Sequence, residues 1–216
     1  MITRIAETGV RLVQEAASVV GVRGGNEQPQ YVVERQIGNV QFRRYGPRIT
    51  AQTMVSADDE TAARNIGFRR LAGYIFGGNR SRTKIAMTAP VTQEPAVARD
   101  GQKIAMTAPV SQTAGPDGAW VIRFFMPARW HLNTLPIPND STVELVPVEP
   151  ETLAVLRFRG NWGPSAIASR TDELVRAVQS SDYRPTGAPV AWFYDPPWTV
   201  PLLRRNEVAV PVTPAT

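Results

Sequence analysis

The octapeptide Lys-Ile-Ala-Met-Thr-Ala-Pro-Val occupies residues 84–91 and recurs unchanged at residues 103–110. Chance does not produce an identical repeat of this length, so the second copy indicates a local tandem duplication. In each copy Ile, Met, the second Ala and Val share one face of an extended chain. The intervening residues include Pro95 and the turn signal Asp100-Gly101. The pattern predicts that the two copies are the strands of one long hairpin.

The composition of the whole chain is typical of a folded domain with many turns. Its 216 residues are 43% hydrophobic and 20% charged, which is enough apolar material for a sizeable core. The 19 prolines and 16 glycines favour short strands over a helical bundle. The chain has no cysteine, which excludes disulfides, thiolate metal sites and cysteine nucleophiles.

The net charge of +5 favours acidic partners such as carboxylates, phosphates or anionic lipids. The arginines are nevertheless scattered along the chain, and no run of basic residues exceeds two. A nucleic-acid interface normally concentrates its cations in one stripe or motif. The distribution therefore predicts that nucleic acid is not a partner.

Residues 1–30 differ in character from the rest of the chain. Residues 2–20 have helical apolar spacing, but charged residues interrupt it too often for a signal peptide or a membrane span. We therefore expect a cytoplasmic protein. Docking on the domain, or disorder, is favoured for this segment over contact with a membrane surface or a partner. A Gly- and Pro-containing linker then leads to a domain predicted over residues 31–212, followed by a tail at 213–216.

Turn and helix signals divide the predicted domain into two halves of the same order. In each half two β-rich segments precede a helix, and two strands follow it. The first helix is predicted to begin after Asp58 and Asp59, and the second to begin at Gly163-Pro164. In the first helix the apolar residues at helical spacing are Phe68, Leu71, Ala72 and Ile75. This order indicates an α+β domain in which two helices lie on mainly antiparallel sheets, with a groove between the halves. Besides the octapeptides, the predicted strands are 31–37, 40–45, 49–55, 120–126, 143–148, 153–159, 190–194 and 207–212, and the helices are predicted to end near Phe76 and Ser180.

Several motifs within this domain occur together in a fixed order. They are Tyr31-Val-Val-Glu-Arg35, Lys84-Ile-Ala-Met-Thr-Ala-Pro-Val91, Leu135-Pro-Ile-Pro-Asn-Asp140, Tyr194-Asp-Pro-Pro-Trp198 and Arg204-Arg-Asn-Glu-Val208. The set resembles the SOUL haem-binding protein family over residues 31–212. The end of the first helix at Gly77-Gly78-Asn79 is similar to that family as well.

The resemblance implies a fold and a ligand. The implied fold is a β-α-β-β unit used twice, which forms a distorted antiparallel barrel with two helices. The implied ligand is haem or a related tetrapyrrole, held non-covalently and with low specificity in a shallow hydrophobic groove beside the first helix. The fold is also similar to bacterial effector-binding domains, which take up hydrophobic or cationic small molecules. We expect a monomer that binds its ligand as a carrier, buffer or sensor.

Haem needs an apolar surface for its macrocycle and cations for its two propionates. One edge of the first predicted helix supplies both, and an aromatic residue before the last strand can close over it. These candidate binding residues are Asn65, Phe68, Arg69, Ala72, Phe76 and Trp198. The alternative for Phe68 and Phe76 is ordinary core packing, and the alternative for Arg69 is a solvated surface position.

The sequence does not single out an axial iron ligand. His131 is the only histidine, but it lies outside the helix edge that we assign to the groove. Met87 and Met106 alternate with apolar residues and are predicted to be core residues. Tyr74 is a weak candidate, so we predict no metal-ligating residue.

No catalytic motif is present in the sequence. The Gly-x-Ser-x-Gly and His-Glu-x-x-His motifs are absent, and a lone histidine without cysteine cannot form a Cys/His dyad. The charged residues at 204–207 are predicted to form a structural ion-pair cluster rather than an anion site. We therefore predict a binding protein and not an enzyme. The alternatives are a haem-degrading enzyme, or an interaction module that uses the N-terminal helix.

Overall fold

The structure, a computed structural model, describes residues 26–95, 119–195 and 199–215. The predicted N-terminal helix, the second octapeptide and Trp198 lie outside these residues. The described part of the chain contains ten strands, two α-helices and one short 3₁₀ helix (Pro201–Leu203). The strands are β1 (Tyr31–Ile37), β2 (Val40–Tyr45), β3 (Arg48–Ser56), β4 (Val91–Pro95), β5 (Ala119–Phe125), β6 (Val143–Val148), β7 (Glu151–Phe158), β8 (Tyr183–Pro185), β9 (Val190–Phe193) and β10 (Asn206–Pro214); the helices are α1 (Glu60–Ile75) and α2 (Pro164–Gln179).

The ten strands form one antiparallel sheet in the order β1-β2-β7-β10-β9-β4-β5-β3-β6, and β8 pairs with part of β10. The predicted α+β class with two flanking helices is confirmed. The barrel that the resemblance implies is open, because β1 and β6 each pair on one side only among the described residues. Neither helix in these residues is long and apolar enough to cross a membrane.

The sheet has the two-fold-like order that the sequence predicts. β4 and β9 meet at its centre, where Val91 pairs with Phe193 and Thr92 with Trp192. On one side β4, β5, β3 and β6 follow outward, and on the other β9, β10, β7 and β2. β2 precedes β3 in the chain but pairs with β7, whereas β6 precedes β7 but pairs with β3. The halves therefore exchange their first strands, which ties them into one sheet.

Helix α1 begins and ends where the sequence predicts. The Asp59 side chain caps it by accepting a hydrogen bond from the Ala62 backbone N–H at 2.8 Å. The helix lies against β5 so closely at Gly67 that an added Cβ would stand 2.4 Å from Cγ1 of Ile122. Only glycine permits this approach, which brings Leu71 into full burial on the same face.

Helix α2 packs on the second half of the sheet in the same way. Pro164 occupies the first turn, where its missing N–H costs nothing. Ile167, Leu174 and Val178 are fully buried against alternate residues of β10, as the helical spacing predicts. The other face of the sheet has its own apolar cluster without a helical residue, formed by Tyr45, Ala89, Phe125, Leu153, Val155, Trp192, Tyr194 and Ala209.

The predicted strand over the first octapeptide is wrong. Residues 84–90 are irregular, and only Val91 belongs to a strand. The Ile85 N–H donates to the Ile75 carbonyl at the end of α1, and the Ala89 N–H donates to the Glu27 carbonyl. These backbone donors are therefore used outside the sheet, and Pro90 has none to offer. The predicted hairpin partner at residues 103–110 lies outside the described residues.

Candidate functional site

One edge of α1 carries exposed aromatic side chains. Phe68 is 38% exposed and Phe76, directly after the helix, is 61% exposed. Asn65 and Arg69 are exposed beside them, and Ala72 is half-buried between them. The structure therefore brings five of the six predicted binding residues onto one edge. Trp198, the sixth, lies outside the described residues.

The core-packing alternative is wrong for Phe76, which is mostly exposed, and holds in part for Phe68, which packs on a core residue. The helix buries Ala63, Leu71 and Tyr74 on its core face, and Phe68 lies at the border of that face. Phe68 keeps one contact with the core, an edge-on packing of its ring on Phe124 with 5.3 Å between centroids. Such a contact holds the ring in place while leaving part of its surface available to a ligand.

Arg69 stands next to Phe68 as a cation within reach of the same surface. Among the described residues, the Arg69 side chain makes no ion pair and no hydrogen bond. Its neighbour Arg70, in contrast, donates to the Met54 carbonyl at 3.1 Å. The edge thus combines an apolar surface with a guanidinium group that has no carboxylate partner among the described residues.

The side chains that could ligate iron do not join this edge. Tyr74 is buried, and its hydroxyl donates to the Pro136 carbonyl at 2.9 Å. Burial raises the pKa of Tyr74 to about 12, which disfavours a phenolate ligand. Met87 packs against the core cluster under α1, as predicted. His131 is exposed and lines a different cavity, so the described residues place no iron ligand at the edge.

A buried ion network occupies the helix-free face of the second half. Glu207 is fully buried and accepts two hydrogen bonds from Arg43, at 2.9 and 3.2 Å. Arg205 donates to the same carboxylate at 2.7 Å, and the Tyr194 hydroxyl does so at 2.7 Å. The predicted structural role of residues 204–207 is thus confirmed for Arg205 and Glu207.

The network keeps Glu207 ionised. Burial alone would raise the pKa of Glu207, but the charges of Arg43 and Arg205 and their hydrogen bonds hold it below the ordinary value. Burial and the neighbouring carboxylate raise the pKa of Tyr194 well above its usual range. The hydroxyl therefore stays protonated as a donor, and the cluster is satisfied without a ligand.

Two cavities of about 530 Å³ each lie away from the α1 edge. The first borders the ion network, and its polar wall includes Arg43, Arg157, Arg159 and Arg205. An apolar macrocycle does not fit a wall of this kind. The second is largely apolar and includes Arg48 and Trp130, which the sequence did not single out. No local sequence signal identifies Arg48 and Trp130, because the three-dimensional fold decides which of their N–H groups have hydrogen-bond acceptors.

Comparison with known proteins identifies relatives of this chain. The family model described as SOUL heme-binding protein matches residues 26–211. Heme-binding protein 2 of Mus musculus is 42% identical over 60 residues, which cover 28% of this chain and 29% of that protein. Heme-binding protein 2 of Homo sapiens is 44% identical over 57 residues, covering 26% and 28%. The matched stretch thus spans less than a third of each curated relative.

Solved structures share the fold at much lower identity. The C-terminal domain of EcmrR superimposes with a TM-score of 0.57 at 11% identity, covering 83% of this chain and 99% of that domain. Identity this low supports a common architecture and says nothing about the ligand.

Proposed function

The chain belongs to the SOUL haem-binding protein family, and we propose that it binds haem along the exposed edge of α1. The observation that carries the proposal is the exposure of Phe68 and Phe76 on both sides of Arg69 and Ala72. Exposed aromatic rings near a cation suit a flat apolar ring that bears carboxylates.

Each residue of the edge has a physical role in this proposal. Phe68 and Phe76 supply apolar surface for the macrocycle, and Ala72 leaves room for it between them. Arg69 pairs with a propionate, and Asn65 donates a hydrogen bond to the same end of the ligand. Trp198, which follows Asp195 in the chain by three positions, closes over the outer face of the ring.

Binding of this kind is non-covalent and does not depend on iron. No ligating side chain stands at the edge among the described residues, so stacking and charge supply the affinity. We therefore expect metal-free protoporphyrin to bind with an affinity similar to that of hemin. A carrier, buffer or sensor, acting as a monomer, is the function that fits a shallow and exposed site.

The test is an absorbance titration of the purified full chain with hemin and with metal-free protoporphyrin. We expect a saturable one-to-one shift with both ligands. The double variant Phe68→Ala and Arg69→Gln should weaken both by roughly tenfold or more, since it removes apolar contact and one charge-assisted hydrogen bond.

A matched control keeps the test specific. Met54→Ala with Arg184→Gln removes an exposed apolar side chain and an exposed arginine elsewhere on the surface. This control should bind like the unaltered chain. Equal affinity of the site variant and the control would refute the assignment, and no saturable shift with either ligand would remove haem from the function.

In a non-enzymatic binding protein the bound haem is not consumed. Under ascorbate and oxygen, with catalase to remove free peroxide, the Soret band of the complex should persist as long as that of hemin held by serum albumin. Faster loss of the band, with formation of a biliverdin-type absorbance, would favour the alternative of a haem-degrading enzyme.

A further inference from the structure

The likeness of the two octapeptide copies extends beyond their identical residues. The first copy, at residues 84–91, continues as Thr92-Gln93, and the second, at residues 103–110, continues as Ser111-Gln112. Serine keeps the hydroxyl group of threonine, and the glutamine is the same. The chain therefore carries two segments with nearly the same side chains, and the first of them leads into strand β4 at the centre of the sheet.

The place that the first copy occupies makes specific demands on its side chains. Ile85 is buried in the apolar cluster under α1, and Ala89 is buried in the cluster on the other face of the sheet. The Thr88 hydroxyl donates a hydrogen bond to the Phe125 carbonyl. The second copy has the same residue types at the same spacing, and they are Ile104, Thr107 and Ala108. Its side chains therefore suit the same place.

A buried glutamine of β4 connects the strand to α1. The Gln93 side chain donates to the Glu60 carbonyl at 2.8 Å and accepts from the Arg64 guanidinium at 3.3 Å. Loss of the glutamine would leave this buried carbonyl and guanidinium with fewer partners, so the contact selects a segment that has glutamine here. Gln112 follows the second copy at the spacing with which Gln93 follows the first. Both segments thus bring the required amide.

The second segment lacks one ion pair of the first. Glu94 pairs with Arg123, and the two side chains remain 23% and 26% exposed. Thr113 stands at the matching position of the second segment and cannot form this pair. An ion pair that retains this much contact with water contributes little to stability. Arg123 would also keep its hydrogen bond to Gln52, at 2.9 Å.

The second segment has the shorter connection to β5. In the described register Pro95 lies opposite Trp120, and residues 96–118 connect the two strands. The same alignment of the second segment places Ala114 opposite Trp120 and leaves residues 115–119, Gly-Pro-Asp-Gly-Ala, as the connection. Proline and glycine at this spacing are typical of a type I turn. Five-residue hairpin loops are commonly built around such a turn, so this sequence suits a compact hairpin.

The connection before the octapeptide changes in the opposite direction. Residues 76–83 lead from α1 to the first copy, whereas residues 76–102 would lead to the second. The entropy lost on closing a loop grows only with the logarithm of its length. Lengthening this connection while shortening the one to β5 therefore largely cancels, which leaves the two alignments close in free energy.

We propose that either copy of the octapeptide can occupy the β4 position, so that the chain has two folded registers. In the described register residues 84–95 fill the position. In the alternative register residues 103–114 fill it, and residues 84–102 belong to the connection after α1. A register is fixed by side chains that only one alignment places correctly, and the duplication removes that distinction. Because β4 pairs with both β5 and β9, each register completes the sheet between its two halves.

Substitution of each copy in the full chain tests the exchange. The first-copy variant, Ile85→Asp with Ala89→Asp, places carboxylates at two buried positions. It should stay folded, because the second copy replaces the first and the carboxylates then lie in the connection after α1. The second-copy variant, Ile104→Asp with Ala108→Asp, should stay folded as well. All four substitutions together should abolish the folded state, since neither copy can then be buried. Urea denaturation compares the three chains.

A matched control shows that the sheet does not tolerate such charges elsewhere. Ala51→Asp with Ile122→Asp changes the same two residue types at fully buried positions of β3 and β5, which are not duplicated. This control should be unfolded without urea, like the chain with all four substitutions.

Engineered cysteine pairs report which copy fills the position, and the chain has no cysteine of its own. Gln93→Cys with Ala191→Cys joins directly opposed residues of β4 and β9 in the described register. Gln112→Cys with Ala191→Cys joins opposed residues only in the alternative register. Under mild oxidation we expect both disulfides in the otherwise unaltered chain. The first-copy variant should form only the 112–191 disulfide, and the second-copy variant only the 93–191 disulfide.

Three results would overturn the proposal. The first is unfolding of the first-copy variant to the same extent as the chain with all four substitutions. The second is absence of the 112–191 disulfide from the unaltered background or from a folded first-copy variant. The third is a 112–191 disulfide that joins two chains, seen as a dimer on a non-reducing gel, because the second copy would then act on another molecule. None of these measurements involves haem, so they are independent of the proposed function.

Discussion

Helices α1 and α2 occupy equivalent places in the two halves of the sheet but present different surfaces to solvent. Each has 16 residues, and counted from their first residues three buried positions correspond: Ala63 matches Ile167, Gly67 matches Thr171 and Tyr74 matches Val178. At the ninth position α1 has Phe68, whereas α2 has Asp172. The shared positions build the fold, so the differing ones are free to encode a ligand.

The two helices also carry opposite charges at their tenth position. The tenth residue of α1 is Arg69, whereas that of α2 is Glu173, which pairs with Arg170 at 2.6 Å. Carboxylates on the outer edge of α2 would repel the propionates of haem, and the edge has no exposed aromatic ring. The proposed binding edge is therefore present on only one of two helices that hold equivalent places in the sheet. The second half contributes the buried Glu207 network instead.

Removal of the Glu207 carboxylate should have the strongest effect on stability and no effect on haem binding. Glu207→Gln should lower the free energy of unfolding by about 3–5 kcal/mol, because it leaves Arg43 and Arg205 buried without their carboxylate. Urea denaturation measures this loss. Hemin affinity of the folded variant should be unchanged, because the network lies in the other half. The matched control Glu173→Gln breaks a partly exposed ion pair and should cost within about 1 kcal/mol.

The same variant has a predictable pH dependence. The folded pKa of Glu207 lies below its ordinary value of 4.5, so the ionised carboxylate stabilises the fold. That stability is fully present above the unfolded pKa and is lost as the pH falls through the folded value. The difference in unfolding free energy between the unaltered chain and Glu207→Gln should therefore shrink below about pH 4.5. A constant difference from pH 7 to pH 3 would contradict this.

The next largest effect comes from giving α1 the outer residues of α2. Phe68→Asp with Arg69→Glu should weaken hemin by about 100-fold, since it removes apolar burial and reverses the local charge. A Soret-band titration measures the change. The reciprocal exchange, Asp172→Phe with Glu173→Arg, should leave the original site intact, and a loss there would mean that haem binds α2.

Packing beneath the helices gives a smaller effect. Gly67→Ala should destabilise the protein by about 1–3 kcal/mol, because its Cβ would overlap Ile122. Thr171→Ala at the matching position of α2 should be nearly neutral, since its buried hydroxyl has no partner among the described residues. The denaturation midpoints of the Gly67→Ala and Thr171→Ala variants measure the two losses of stability. Equal losses would show that the two helices are packed alike.

The smallest effect concerns the end of the binding edge. Phe76→Ala should weaken hemin by about tenfold at most, because the ring is mostly exposed and its removal opens no core cavity. Unfolding free energy should stay within about 0.5 kcal/mol. A larger loss of stability in the ligand-free protein would mean that Phe76 has a packing role.

Local signals explain why much of the fold could be predicted from the sequence. The acidic cap at Asp59 and the Gly-Pro start of α2 set the helices within one or two residues. The first octapeptide was mispredicted because alternating apolar residues suit an extended chain whether or not a strand pairs with it. The short β8 was missed, since three residues around a proline carry little periodicity.

The candidate site, like the fold, could be predicted from the sequence only in part. Helical spacing was enough to group Asn65, Phe68, Arg69 and Ala72 on one edge, but it could not show that Phe68 is exposed. That depends on how closely Gly67 approaches β5. The sequence could not show that buried N–H groups of Arg48 and Trp130 lack a hydrogen-bond acceptor, because that depends on which atoms surround them in the folded chain.

The location of the bound haem is the sharpest test of its assignment to the α1 edge. Amide resonances of the ¹⁵N-labelled chain, recorded with ferric hemin and with diamagnetic zinc protoporphyrin, report distance from the iron through paramagnetic broadening. Broadening centred on residues 65–76 is the predicted result. Broadening centred on residues 169–179 of α2, or on residues 126–132 beside the apolar cavity, would contradict the assignment of haem to the α1 edge.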